Sequence, residues 1–293
     1  MRRLTRRPWV MVVLGLAAAL LVFLFLKWKA NSDRGGQLYA EPFRIAGNFY
    51  YVGANDVASF LITSPEGHIL IDGGYPGTAP MIMASIAKLG FDIRDVKLLL
   101  NSEPHFDHAG GLAALQKASG AQLWTSEASA RAIEAGGNDP DIALPIRLLM
   151  WARIIRYPPA HVDHRLADGD TIRVGPIALT AHITGGHTRG CTSFSFVMHD
   201  GDRVLHVVSA CSLVVLGASR YEGQDADLQH TFAVLRGLPA DIWVSSHARL
   251  WGRYRKFAAR DTAKNPVEPF IDPQGYRAYI DSGEARFRRG AVQ

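Results

Sequence analysis

The residues of this chain most able to do chemistry lie in one short stretch, Asn101-Ser102-Glu103-Pro104-His105-Phe106-Asp107-His108-Ala109-Gly110-Gly111. Two imidazoles and two carboxylates, from Glu103, His105, Asp107 and His108, crowd together there. Nitrogen and carboxylate oxygen donors suit Zn²⁺, and a catalytic zinc keeps one position open for water. One tetrahedral ion with an open position does not need so many donors, so the spacing points to two metals. The plain alternative is a polar loop with an N-capping Asp. Against it, Gly110-Gly111 supplies the tight, small-residue helix start that such a site needs.

The elements around this stretch explain its position. Val96 to Leu100 is an apolar run that reads as a buried strand, and Leu112 to Ala118 reads as the first turns of a helix. The donors therefore sit at the C-terminal end of a strand, where open α/β sheets place their sites. Two later histidines follow strands in the same way. His187 lies in the glycine-rich loop Thr184-Gly185-Gly186-His187-Thr188-Arg189-Gly190, and His247 ends Ser245-Ser246-His247.

Further along the chain, Phe43 to Gly53, Val57 to Thr63 and His68 to Ile71 read as strands, the last ending at Asp72-Gly73-Gly74. Thr78 to Leu89 has helical spacing, Gln122 to Thr125 is a strand, and Glu127 to Ala135 is a helix stopped by Gly136-Gly137. Ile142 to Tyr157 is unusually apolar and reads as a helix or a lid. Thr171 to Thr184 is a hairpin about Gly175-Pro176. Asp225 to Leu238 is an amphipathic helix, Ile242 to Ser246 a strand, and Gln274 to Arg288 a helix. Strands, then strand–helix alternation, then the same succession again predict two β-sheets flanked by helices.

Composition is that of an ordinary globular protein, 48% hydrophobic and 20% charged over 293 residues. The net charge of +5 comes from the N-terminus: Arg2, Arg3, Arg6, Arg7, Lys27 and Lys29 stand there with no acid, leaving −1 for the rest. Nothing in that balance calls for a nucleic-acid partner. Trp9 to Leu26 is a run of 18 uncharged residues, about 27 Å as a helix and just enough for a hydrocarbon core. Residues 1–30 are read as a signal anchor with its N-terminus cytoplasmic, or as a cleaved signal peptide. Both readings export the catalytic part, to the periplasm, and the uncleaved one leaves it anchored to the inner membrane by residues 9–26. Residues 31–41 are a tether, and 42–293 the catalytic domain. Cys191 and Cys211 flank a predicted hairpin, Cys191 to His199 and Arg203 to Cys211, which brings them near each other at its open end. A disulfide and a buried free pair are both compatible with that spacing.

The chain resembles the metallo-β-lactamase superfamily, and most of all the subclass B3 lactamases, from about Pro42 to near the C-terminus. The stretches that carry the likeness are Pro42-Phe43-Arg44-Ile45-Ala46-Gly47, Ile69-Leu70-Ile71-Asp72-Gly73-Gly74, the central loop, Gly186-His187-Thr188, and Leu238-Pro239-Ala240-Asp241 leading to His247. The resemblance implies an α/β fold, an αβ/βα four-layer sandwich with a dinuclear zinc site along one edge. It places Glu103, His105 and His187 at a first zinc and Asp107, His108 and His247 at a second. Asp72 becomes a supporting carboxylate behind the ligands.

The implied activity is zinc-dependent opening of the amide of β-lactam antibiotics by a metal-bound hydroxide. Asp107 would anchor the second zinc and orient that hydroxide. Ser212 falls where subclass B3 has a serine near the second zinc, as a hydrogen-bond group and not a nucleophile. Many other hydrolases of the fold bring a metal-bridging Asp to this strand end, but residues 207–214 contain no acid. A metal-dependent lactonase or other ester hydrolase, and an anchored binding protein with a degenerate metal site, are the alternatives.

Three departures stand out. Glu103 replaces the usual histidine and lowers the charge of the centre. Val214 stands where relatives can carry a serine that contacts the substrate carboxylate, and Arg189 could take over that role with its forked cation. The third is the apolar 142–157 insertion. His161 and His164, spaced like ligands around Asp163, are read as surface or loop residues. No Gly-x-Ser-x-Gly elbow surrounds any serine.

Overall fold

The computed structural model describes residues 11–12, 15–25, 38–151, 156–217 and 219–290. Two sheets face each other. The first has seven strands in sequence order: β1 (Phe43–Ala46), β2 (Phe49–Tyr51), β3 (Phe60–Ile62), β4 (His68–Ile71), β5 (Val96–Leu100), β6 (Gln122–Ser126) and β7 (His164–Leu166). Pairing is antiparallel from β1 to β4 and parallel from β4 to β7. The second sheet orders its strands β12-β11-β10-β9-β8, from β8 (Thr171–Val174), β9 (Ile177–Ile183), β10 (Thr192–Asp200), β11 (Arg203–Ala210) and β12 (Ile242–Ser245).

Period-two alternation makes the first sheet apolar on both faces. Phe60, Ile62, Ile69, Ile71, Leu98 and Leu100 point into the layer between the sheets, with Phe194, Phe196 and Trp243 opposite. Leu61, Leu70 and Leu99, the residues in between, point outward. There they meet the helices α2 (Ala79–Lys88) and α4 (Leu112–Ser119) through Ile82, Ile86, Leu112 and Leu115. On the far side, α9 (Pro273–Arg288) covers the second sheet: Tyr276, Tyr279 and Ile280 pack with Trp243. This is the mixed α/β, two-sheet architecture expected, with the core in the layers on either side of the first sheet.

Several local expectations are refined. Phe43 to Gly53 is two strands, because Gly47 at φ +44° turns the chain between β1 and β2. The 142–157 insertion forms helix α6 (Leu144–Trp151), and residues 152–155 lie outside the described set. His164 begins β7, a three-residue edge strand too short to show alternation. Helix α8 (Arg253–Arg260) has no counterpart in the sequence reading. Its buried face carries Arg253 and Lys256, so charge concealed it; Lys256 reaches Asp272 at 3.0 Å beneath Trp243 and Trp251.

Of the predicted span 9–26, residues 9–10, 13–14 and 26 lie outside the described set, and residues 15–25 form helix α1. Among the described residues no helix is long and apolar enough to cross a membrane. Cys191 and Cys211 are joined in a disulfide, with Cα atoms 5.9 Å apart. The hairpin β10–β11 pairs Phe194 with Ser209, which leaves the two cysteines side by side just beyond its open end.

Candidate metal centre

Every predicted donor comes from the end of a strand, and the two sheets present those ends along one edge. β4 stops at Asp72, the one described non-glycine residue with positive φ, +64°. The turn is held by the side chain itself. Asp72 Oδ1 accepts from Ser102 N at 2.7 Å and Asn101 Nδ2 at 3.1 Å, and Oδ2 accepts from Ser102 Oγ at 2.6 Å. Such a backbone costs about 1–3 kcal/mol and persists only where its surroundings fix it. Here the carboxylate locks the end of β4 to the loop after β5.

That loop delivers Glu103 and His105, then the single-turn helix α3 (Phe106–Ala109) delivers Asp107 and His108. Gly110 and Gly111 follow because there is no room for more. A Cβ on Gly111 would lie 2.2 Å from the Gly73 carbonyl oxygen, and one on Gly110 would lie 2.4 Å from Pro76. His187 leaves β9 through Gly186, at φ +132°, where a Cβ would meet Leu228 at 2.4 Å. His247 follows β12. Its neighbours Ser246 and Ala248 bond the backbone of Ala58 and Asp56.

The six predicted ligands converge as two trios: Glu103, His105 and His187, and Asp107, His108 and His247, each with its donor atoms within 4.8 Å of one another. Glu103 Oε2 lies 2.9 Å from His105 Nδ1 and 2.8 Å from His187 Nε2. His108 Nε2 lies 3.3 Å from His247 Nε2 and 3.4 Å from Asp107 Oδ2. Glu103 is fully buried, yet its Oε1 has no hydrogen-bond partner among the described residues. An ionised carboxylate left so is costly. Burial raises its pKa, but His187 and His108 outweigh that and hold Glu103 well below the carboxylate range. Imidazole and carboxylate donors converging around an orphaned buried oxygen fit a divalent cation.

Each trio has groups that aim it. His187 donates through Nδ1 to the Val214 carbonyl at 2.5 Å. Asp72 Oδ2 stands 3.7 Å from His108 Nδ1. His247 Nδ1 faces Asp56 Oδ2 at 3.3 Å. Such outer partners fix ring orientation. Burial lowers the pKa of His108, but Asp107, Glu103 and Asp72 together raise it to about 10. Burial pushes Asp72 up to about 6 despite His108 and Ser102. Asp107 is driven far below its ordinary value by His108 and His247, against its burial.

The trios open into a cavity of about 680 Å³, which Ser212, Val214, Asp139 and Arg249 also line. Its outer walls are apolar: Ile142 and Ile146 on and beside α6, Leu216, and Leu21, Leu24 and Phe25 of α1. Ser212 lines the cavity, with its Oγ accepting from Val214 N at 3.3 Å. Cys211 is held in the disulfide and belongs to neither trio.

Arg189 does not line the cavity. Its fork is occupied by Asp141, at 2.9 and 3.2 Å, and its plane lies over Tyr221 at 4.3 Å. The substrate role proposed for it is corrected accordingly: it ties the loop before α6 to the loop before α7 (Gln224–Gly237). His161 and His164 face Asp163 and Asp170, the His164 ring also packs on Trp124, and neither joins a trio. The Val214 carbonyl, Asp56, Asp139 and Arg249 had no mark in the sequence. A backbone carbonyl carries none, and the others become neighbours of the metal site only when distant loops meet.

A family model of the metallo-beta-lactamase superfamily matches residues 52–207. The chain belongs to that superfamily. Among solved structures, the Rm3 metallo-beta-lactamase is similar at 39% identity and a TM-score of 0.80, the match covering 87% of this chain and 95% of that one. BJP-1, a subclass B3 metallo-beta-lactamase of Bradyrhizobium japonicum, is similar at 32% identity and a TM-score of 0.77, covering 88% and 96%. A different activity is named for a curated relative, the hydroxyacylglutathione hydrolase of Jannaschia sp. (strain CCS1). It is 29% identical over 212 residues, 72% of this chain and 69% of that protein. The superfamily places this chain among hydrolases and fits two metal-binding clusters on one edge of the sandwich.

Proposed function

We propose that this metallo-beta-lactamase-fold hydrolase opens the amide of β-lactams with two Zn²⁺ per chain. The observation that carries the reading is the end of β11. The side chain it gives to the cavity is Ser212, and the trios take no carboxylate from there, where many ester hydrolases of the fold bring a bridging Asp. The near-complete coverage of lactamase structures supports the same choice.

Glu103, His105 and His187 would hold one ion, and Asp107, His108 and His247 the other. Bound there, zinc supplies a water nucleophilic at neutral pH and polarises the scissile carbonyl. The chain's own groups position and exclude. Asp107 is ionised throughout the working range, so its carboxylate accepts hydrogen bonds and orients a water rather than storing a proton. Ser212 offers a hydroxyl at the cavity wall. Ile142, Ile146 and Val214 keep bulk water from the reacting bond, which strengthens the field of the charged donors.

A thioester-hydrolysing reading is favoured by one observation, the name of the Jannaschia relative. A lactonase would use the same centre. The anchored binding protein with a degenerate site is disfavoured by the convergence of all six donors. Titrating zinc into the full chain while following a chromogenic cephalosporin, a hydroxyacylglutathione and a homoserine lactone separates these. Cephalosporin turnover rising to a plateau at two zincs per chain upholds the proposal. Thioester or lactone turnover alone transfers the assignment, and no bound zinc sinks the metal centre. We further propose export to the periplasm, with residues 1–30 as a cleaved signal peptide or residues 9–26 as an anchor. The Cys191–Cys211 disulfide supports an oxidising compartment.

A further inference from the structure

We propose that Arg249 forms a carboxylate subsite on the second-metal side of the cavity, selecting substrates that carry an anion beside the scissile carbonyl. The inference rests on the hydrolase reading above and names what that hydrolase recognises.

Among the described residues that line the cavity, Arg249 is the one Arg or Lys. It follows the ligand His247 by two residues, so it is carried on the same turn that aims a metal donor. One of its nitrogens is bonded to Asp56: Nη1 donates to Oδ2. Nε and Nη2 have no hydrogen-bond partner among the described residues, and 55% of the side chain remains exposed. Asp56 fixes the head of the guanidinium while leaving the rest of the fork open, which is the arrangement a planar, bidentate carboxylate meets best.

The neighbouring charges do not fill this role. Arg189 is spent on Asp141, and position 214 is a valine with no donor on its side chain. The other charged cavity groups, apart from the histidines, are Asp107 and Asp139, both carboxylates. Besides the metal sites, an anionic substrate entering between apolar walls would meet one side-chain cation among the described lining residues, Arg249. Asp56 also receives the His247 Nδ1 contact, so the anion-binding arm and a metal ligand are braced by the same carboxylate.

The test uses the full zinc-loaded chain with a chromogenic cephalosporin, as the free acid and as the methyl ester of its ring carboxylate. A charge-assisted fork is worth a factor of roughly 10 to 100 in affinity. The expected result is that Arg249→Ala lowers kcat/KM for the acid by about that factor, mostly through KM, while the ester changes by less than about threefold, and that Arg249→Lys restores part of the loss. Zinc content must stay at the wild-type level, which excludes an effect through Asp56 and His247. Arg189→Ala should leave the acid-to-ester ratio unchanged.

Equal losses for acid and ester, or no change in KM, overturn the subsite. If the wild-type chain hydrolyses neither compound, the β-lactam reading has failed. Calorimetric titration of the same two compounds then decides on Arg249: tighter binding of the acid that vanishes in Arg249→Ala upholds the subsite, and equal binding overturns it.

Discussion

Glu103 Oε2 lies 2.8 Å from Nε2 of His187, a residue 84 positions away on the other sheet. This contact joins the two halves of the sandwich at the metal edge, and it is buried on both sides. Removing one partner of a buried charged pair strands the other, at roughly 3–5 kcal/mol. Glu103→Gln should therefore lower the melting temperature of the metal-free protein and reduce bound zinc from two towards one per chain. Calorimetry and metal analysis check both, and unchanged occupancy would remove Glu103 from the ligand set.

Asp72 satisfies three donors and braces His108 while holding a positive φ. Asp72→Ala loses all of these and places alanine in a backbone region it resists. We expect a loss of roughly 3 kcal/mol or more by denaturant unfolding, and a fall in affinity for the second zinc of about 10- to 100-fold. Asp72→Asn, which tolerates the same φ, should recover part of the stability but little of the metal affinity.

The pH dependence of the metal-free protein has a definite sign. The folded pKa of His108 is raised to about 10 from an ordinary 6.5. Its contribution to stability is then fully present below 6.5 and is lost as pH rises through 10. Zinc must displace that proton, so its apparent affinity should climb over the same interval. Titration at pH 7.5 in buffers of different ionisation heat should show at least one proton released per chain. No release would mean that His108 is already neutral.

The disulfide closes a loop of 20 residues between Cys191 and Cys211, which are 0% and 1% exposed. Paired Cys→Ser substitution should cost about 3 kcal/mol. Because both sulfurs are buried, reductant should act only in step with unfolding, which thiol labelling against denaturant will show. Labelling of the folded protein at full speed would contradict the burial.

The sandwich was legible because its signals are local. Alternating apolar residues in β4 and β5, glycines at turns and donors crowded into 103–108 each declare themselves within a few positions. The trios could be assigned because the resemblance supplied the long-range pairing of His187 and His247 with that loop. Arg189 was misjudged since proximity to a ligand in sequence says nothing about the Asp141 side chain that meets it in space. Arg249 was passed over for the converse reason: only the fold creates the cavity in which it is the one Arg or Lys among the described lining residues. Helix α8 hid behind Arg253 and Lys256, charged residues turned inward against aromatic faces.

Helix α1 contributes Leu21, Leu24 and Phe25 to the wall around the metal trios. The proposed leader or anchor therefore borders the metal trios in this fold, a place it would leave on being cleaved or on entering a bilayer. Two gene products with the same six donors, one retaining residues 15–25 and one trimmed of them, would differ in the shape and greasiness of the chamber above those donors. Rates measured on a chain lacking residues 15–25 would describe a wider vessel than the one built with them in place.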